Sequence, residues 1–364
     1  MIAGLAGLLQ SCADPASASA PASVRSLWRA ALPAGTEVPS GTPAASAAGV
    51  FLVASGLQAY SMATGLQRWQ SPLRAYVPRA LLATPDLVIV PESTVSALDA
   101  QSGRRLWEFT PDANTSLGRA ATDGQSLYVG SSGHRVYSLR IADGTPRWET
   151  DLGPGWTYPA VVRGVAVGEG SVYAAVEQWL DPHGQASIGW LVALDAASGR
   201  VRWRYSTQSA GERRGLSSSP LLTPHLILVT DFPANAIEAV DRSSGRAVWR
   251  YRGQPGYSGF PEVPTLIGDT LYAGSGDTYV YALALTTGEL RWRTKLPASI
   301  GSYARCGHSL LVNDQALTVI DPADGRVVQT EIGGDSDFPT SGIAVSGNTA
   351  LVLGPRAIHA FHCR

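Results

Sequence analysis

Ala97-Leu98-Asp99-Ala100-Gln101-Ser102-Gly103-Arg104-Arg105-Leu106-Trp107 is the stretch that decides the fold. Glycine falls four positions after the aspartate, and tryptophan four after the glycine. The same spacing recurs from Asp195 through Gly199 to Trp203 and from Asp241 through Gly245 to Trp249. Weaker copies run Ala59–Gly65–Trp69, Ser138–Gly144–Trp148 and Ala282–Gly288–Trp292. A seventh, Asp321 to Gly325, ends in Gln329 where tryptophan is expected. Residues before each aspartate alternate apolar and polar, as in Val136-Tyr137-Ser138-Leu139, which predicts a strand. The aspartate bonds back to turn amides and the glycine supplies a positive φ, which predicts a tight turn. A second strand then carries the tryptophan. An indole recurring there can lie between neighbouring sheets and bury about 150–250 Å².

Two further short strands precede each copy, as at Val263–Ile267 and Leu271–Ala273 before Val280–Leu283. Four strands per 37 to 55 residues make one β-propeller blade. A blade cannot bury both faces alone, so blades pack in a ring. Near the C-terminus, Ala357 to His362 reads as a third strand with no fourth after it. Near the N-terminus, Ser26-Leu27-Trp28-Arg29 reads as an orphan fourth strand, matching Leu290-Arg291-Trp292-Arg293. The expected fold is all-β: an eight-bladed β-propeller with four-stranded blades over 24–364, the N-terminal strand pairing with the C-terminal three. Such closure removes exposed sheet edges. Seven blades is the alternative count, if one weak copy is decorative.

Composition agrees. At 364 residues, 45% apolar and 16% charged, the chain can bury a large core. The net charge of −1, with scattered basic residues that are nearly all arginine, argues against a nucleic-acid partner. Residues Ile2 to Leu9 form an apolar run too short to span a bilayer. They suit the core of a secretory signal over 1–11. Leu9-Gln10-Ser11-Cys12 resembles a bacterial lipobox, which implies lipidation of Cys12. Gln10 and the lack of a preceding Lys or Arg depart from that pattern, and a chance cysteine is the competing reading. The small, proline-containing 12–23 reads as a flexible tether. Cys306 and Cys363 remain as an even pair, either a disulfide or two half-buried thiols.

The repeat resembles the tryptophan-docking motif shared by quinoprotein dehydrogenases and the BamB-type outer-membrane assembly lipoproteins. The motif is specific for fold and silent on function. Quinoproteins carry adjacent cysteines over the quinone and a carboxylate–amide set for Ca²⁺, which needs six to eight oxygens. No adjacent cysteines exist here. The acidic residues outside the docking turns, chiefly Glu92, Glu108, Glu169, Glu177, Glu212, Asp231, Glu238, Glu262, Asp335 and Asp337, form no recognisable set. The six histidines lack metal spacing. Resemblance to BamB implies a non-catalytic, lipid-anchored envelope scaffold, without cofactor, that binds a BamA-type barrel-assembly protein as a monomer within a complex. A pyrroloquinoline quinone-binding oxidoreductase or sensor using calcium is the alternative, as is a cell-surface ligand- or polysaccharide-binding propeller.

Deviations from the repeat point to the functional residues. Both concern blade 4. Glu177 to Gly184 is an insertion whose Trp179-Leu180 pair is apolar within a polar loop, as interface anchors are. A loop folded onto its own blade is the other reading. The connector Ser209 to Ser217 carries Arg213, Arg214 and Leu216. By the resemblance, it matches the loop that BamB-type proteins present to their partner. A solvated charge pair is the alternative. The docking tryptophans Trp69, Trp107, Trp148, Trp203, Trp249 and Trp292 are expected to be core.

Overall fold

The computed structural model describes residues 23–32, 40–73, 81–111, 115–207, 215–254, 259–331, 342–354 and 356–363. Its strands form eight separate four-stranded antiparallel sheets. Blades 1 to 7 occupy 40–71, 82–109, 121–151, 160–206, 221–252, 265–295 and 302–331. Blade 8 joins Ile343–Ser346, Thr349–Leu353 and Ala357–Cys363 to Val24–Ala31, paired from Val24↔Cys363 to Ala31↔Ala357 with a bulge between Ser26 and Trp28. Eight is therefore the blade number, and the N-terminal strand closes the ring.

The first strand of a blade lies against the first strands of its neighbours, so these strands surround the axis. Middle strands are buried throughout, as in Gly49–Ala54 and Ser126–Gly130. Outer strands alternate between exposed and half-buried, as in Ala247–Arg252 and Leu290–Lys295. The buried side chains cluster between blades. Leu127 and Val129 of blade 3 pack with Ile89 and Ala97 of blade 2. Val50 and Leu52 of blade 1 pack with Leu351 and Ile358 of blade 8. Each interblade layer is a small core, and the ring is their sum.

The repeated motif builds seven of the eight joints. Trp69 Nε1 donates to Ala100 O of blade 2 at 3.1 Å, and its ring lies on Gly103. A Cβ at Gly103 would come within 2.5 Å of that ring, and φ there is +70°, so only glycine fits without strain. Trp28, Trp107, Trp148, Trp249 and Trp292 repeat the indole hydrogen bond onto Met62, Ile141, Ala196, Leu285 and Pro322. Trp203 lies on Gly245 in the same way.

The eighth joint explains Gln329. Blade 8 has no turn between its third strand and Val24–Ala31, because these come from distant parts of the chain. An indole from blade 7 would find no turn glycine. Instead Gln329 Nε2 donates to Val24 O, and Val24 N donates to Gln329 Oε1, both at 3.1 Å. The motif changes residue where its docking partner changes. Beside it, Cys306 of blade 7 and Cys363 of blade 8 form a disulfide with a Cα–Cα distance of 5.6 Å.

The turn aspartates tie the repeat to pH. Asp99 Oδ1 accepts from Ser102 N at 2.7 Å and Ser102 Oγ at 2.6 Å. These bonds hold its carboxyl below the usual range. Ser244 and Ser243 hold Asp241 down to about 2, and Arg202 with Ser198 lowers Asp195 further. A depressed folded value means stability that is present above about pH 4 and lost as pH falls through the folded value. Replacing Asp99, Asp195 and Asp241 together by asparagine is expected to flatten the fall in denaturation midpoint between about pH 4 and 2. Denaturant titrations across that range measure it.

Candidate functional site

Seven of the ten tryptophans sit at docking positions. The other three, Trp156, Trp179 and Trp190, gather at blade 4. Its middle strands, Ser171–Trp179 and Ser187–Asp195, are each nine residues long. Those of blade 3 are five and six. Three extra residues lengthen the hairpin by about 10 Å. What the sequence presents as an inserted loop from Glu177 thus begins as ladder, with Gln178↔Ile188 and Trp179↔Ser187 paired, and turns over only after Trp179. The short apolar alternation of Ser187–Trp190 was too weak to reveal the partner strand.

Asp181 organises the tip. Its carboxylate accepts from His183 N at 2.8 Å, from Gln185 N at 3.2 Å, and from Ala186 N. The Ala186 bond contributes most to holding this carboxyl below its ordinary value. Leu180, next to this rigid turn, is 50% exposed, while Trp179 is half-buried against Gly184. Asp181→Ala removes these three hydrogen bonds and is expected to speed amide exchange at 183–186 by roughly tenfold, with the melting temperature nearly unchanged. Exchange mass spectrometry with a parallel melt measures both.

On the sheet face toward blade 3, Trp190 Nε1 donates to Gln178 Oε1 at 2.9 Å and its ring stacks on Trp156 at 6.2 Å. His134 meets the edge of Trp156 and bonds Asp151 at 2.8 Å. On the face toward blade 5, both ends of the blade 4–5 connector are anchored beside the hairpin. Thr207 N donates to Gly189 O at 2.9 Å, and Gly189 N returns a bond to Thr207 Oγ1 at 3.1 Å. At the far end, Gly215 N donates to Asp231 Oδ1 at 3.2 Å. Gly215 also lies so close to Glu177 that a Cβ would clash at 2.8 Å. Glu177, 5% exposed, is ion-paired to Arg163.

This anchoring corrects one assignment. Leu216, read from sequence as a partner contact, is 1% exposed and packs among Tyr173, Leu191 and Ile227. Its backbone pairs with Asp231, which turns the side chain into the interblade core. Arg213 and Arg214 lie outside the described residues, as do Cys12, Glu212, Asp335 and Asp337.

A further ion pair links two segments that lead into first strands. Arg119, leading into blade 3, reaches Glu262, leading into blade 6, at 2.9 Å. Glu262 O also accepts from Tyr303 at 3.2 Å, and burial pushes that phenol well above its ordinary value. Sequence reasoning missed this pair because 143 positions separate its members. The other acids are engaged too. Glu238 takes Arg250 at 3.1 Å and the Tyr205 hydroxyl at 2.5 Å; Glu108 takes Arg105; Glu169 takes Arg242. Among the described residues, no three His, Cys, Asp or Glu side chains converge as metal ligands would. A quinone with Ca²⁺ would require an oxygen-rich set; Glu108, Glu169, Glu177, Glu238 and Glu262 are held by arginines and Asp231 by main-chain amides, so these described acids supply no such set.

The architecture defines a tryptophan-docked, ring-shaped repeat protein. Matches to the family model described as outer membrane protein assembly factor BamB cover residues 16–178, 155–304 and 233–360, and the chain belongs to this family. Among individual relatives, outer membrane protein assembly factor BamB of Yersinia pestis is 23% identical over 64% of this chain and 60% of its own length. Serine/threonine-protein kinase AfsK of Streptomyces griseus is 28% identical over 42% of this chain and 19% of that protein. Quinohemoprotein alcohol dehydrogenase ADH IIB of Pseudomonas putida is 32% identical over 35% of this chain and 20% of that protein. The chain therefore spans 60% or less of each of these relatives. In solved structures, BamB of Moraxella catarrhalis superposes with a TM-score of 0.68 at 15% identity, covering 93% of this chain and 98% of that one. At that identity the likeness speaks for the fold.

Proposed function

We propose that this chain is a non-catalytic scaffold of the bacterial envelope, anchored by lipid at Cys12, that binds a BamA-type barrel-assembly protein through the edge of blade 4. The observation carrying this reading is that Leu180 stands exposed on an Asp181-capped tip, on the longest hairpin of the ring, next to the anchored ends of the Arg213–Arg214 connector. Hairpins bearing exposed apolar side chains, and connectors rich in arginine, have the composition of interface anchors. Membership of the BamB family supports the same role. No cofactor is part of the proposal, because Glu108, Glu169, Glu177, Glu238 and Glu262, among the described acids, are engaged by arginines. Kinase and dehydrogenase relatives share only blades, which serve catalytic and binding proteins alike.

Affinity capture from membranes in mild detergent tests the proposal. The wild-type chain is expected to recover an outer-membrane barrel-assembly protein. Leu180→Asp combined with Arg213→Glu and Arg214→Glu is expected to cut recovery by at least tenfold, as loss of central interface anchors does, with an unchanged melting temperature. Equal recovery by the variant would remove blade 4 from the interface. Absence of any barrel-assembly component from the wild-type capture would overturn the assembly role.

A further inference from the structure

We propose that the Cys306–Cys363 disulfide is an oxidation-dependent latch on the ring seam, formed before strand Val24–Ala31 docks and then covered by it. Three observations meet at one place. The disulfide joins blade 7 to the third strand of blade 8, the strand on which Val24–Ala31 pairs. Val24 sits directly opposite Cys363 in that ladder, and Gln329 of blade 7 holds its main chain by two hydrogen bonds. Both cysteines are 0% exposed, in a cluster with Val24, Leu311, Val319 and Phe361.

This geometry sets an order of events. Thiol–disulfide exchange needs in-line access of an attacking sulfur, which a fully buried disulfide denies. The bond is therefore made while the seam is open. The two thiols lose two electrons and two protons to a disulfide oxidant, which leaves as a dithiol. The new bond holds the Ala357–Cys363 strand against blade 7. Its free edge then receives Val24–Ala31, and the Gln329 amide fixes that strand where no indole joint is available. The crosslink fixes the receiving edge of blade 8 on blade 7 before the distant N-terminal strand arrives. A reducing compartment would leave this one joint of the eight weakest, so the complete ring belongs where disulfides persist.

Native-state reduction tests the latch on the full-length chain. At fixed tris(carboxyethyl)phosphine, Gln329→Ala is expected to speed disulfide reduction about tenfold by raising the open-seam population. Trp107→Phe, at the joint of blades 2 and 3, is expected to leave the rate unchanged. Equal rates in wild type and Gln329→Ala, or equal acceleration by Trp107→Phe, would overturn the proposal. If Gln329→Ala fails to fold, amide exchange of a Cys306→Ala, Cys363→Val chain decides. Loss of protection confined to 24–31 and 357–363 supports the latch; protection equal to that of the oxidised protein in both segments contradicts it.

Discussion

Trp148→Ala is expected to destabilise the ring by about 3 kcal/mol, near the low end for aromatic truncation because the side chain is only half-buried. Three losses coincide. The indole hydrogen bond to Ala196 O, at 2.9 Å, disappears and leaves that carbonyl without it. The ring no longer covers Gly199, whose missing Cβ created the slot. The contact with Tyr128, at 5.9 Å between ring centroids, is also lost. Phenylalanine at 148 keeps the packing and loses the hydrogen bond, so its cost is expected to be about 1 kcal/mol. Gly199→Val attacks the same joint from the other side, because φ there is +71° and the indole leaves no room. Urea midpoints of the three variants measure this, and the alanine and valine changes in one chain are expected to be less than additive, since alanine at 148 removes the indole against which valine at 199 would clash. Full additivity would mean that the indole and the glycine act independently, contrary to the docking account.

Removing the disulfide is expected to cost about 2–5 kcal/mol at a site far from Trp148. The bond joins residues 57 apart, and its sulfurs fill a seam core with Leu311, Leu317 and Phe361. Cys306→Ser with Cys363→Ser would also place two hydroxyls in that apolar cluster, so Cys306→Ala with Cys363→Val is the cleaner pair. Both pairs are expected to lower the unfolding midpoint, the serine pair more. The wild-type chain is expected to show the alanine–valine midpoint after unfolding and refolding under reducing conditions. A reduced wild type as stable as the oxidised one would show that the closed ladder with the Gln329 clamp suffices by itself.

The repeat was legible because its chemistry is local. Asp99, Ser102 and Gly103 form one turn within five residues, and Trp107 follows in fixed register, so seven copies announce seven joints. Closure was legible because an orphan Trp28 strand and a three-stranded end complement each other. The proposed docking edge was legible only in part. Composition singled out Trp179 and Leu180, but not the ladder extension that carries them, which depends on pairing with Ser187–Trp190. Leu216 looked like a surface anchor because its neighbours in sequence are charged. Its burial follows from a backbone bridge to Asp231 that no local pattern encodes. Gln329 was visible as an exception to the motif, yet its meaning required Val24, 305 residues away. The Arg119–Glu262 pair was invisible for the same reason.

Site-specific photocrosslinking in intact cells tests the docking edge most directly. A benzophenone side chain at position 180 is compared with one at Val248 on the outer strand of blade 5, since the native residues are 50% and 49% exposed. The account predicts a crosslink from 180 to an integral β-barrel protein of the outer membrane and none from 248. A crosslink to that protein from 248 with none from 180 would contradict it.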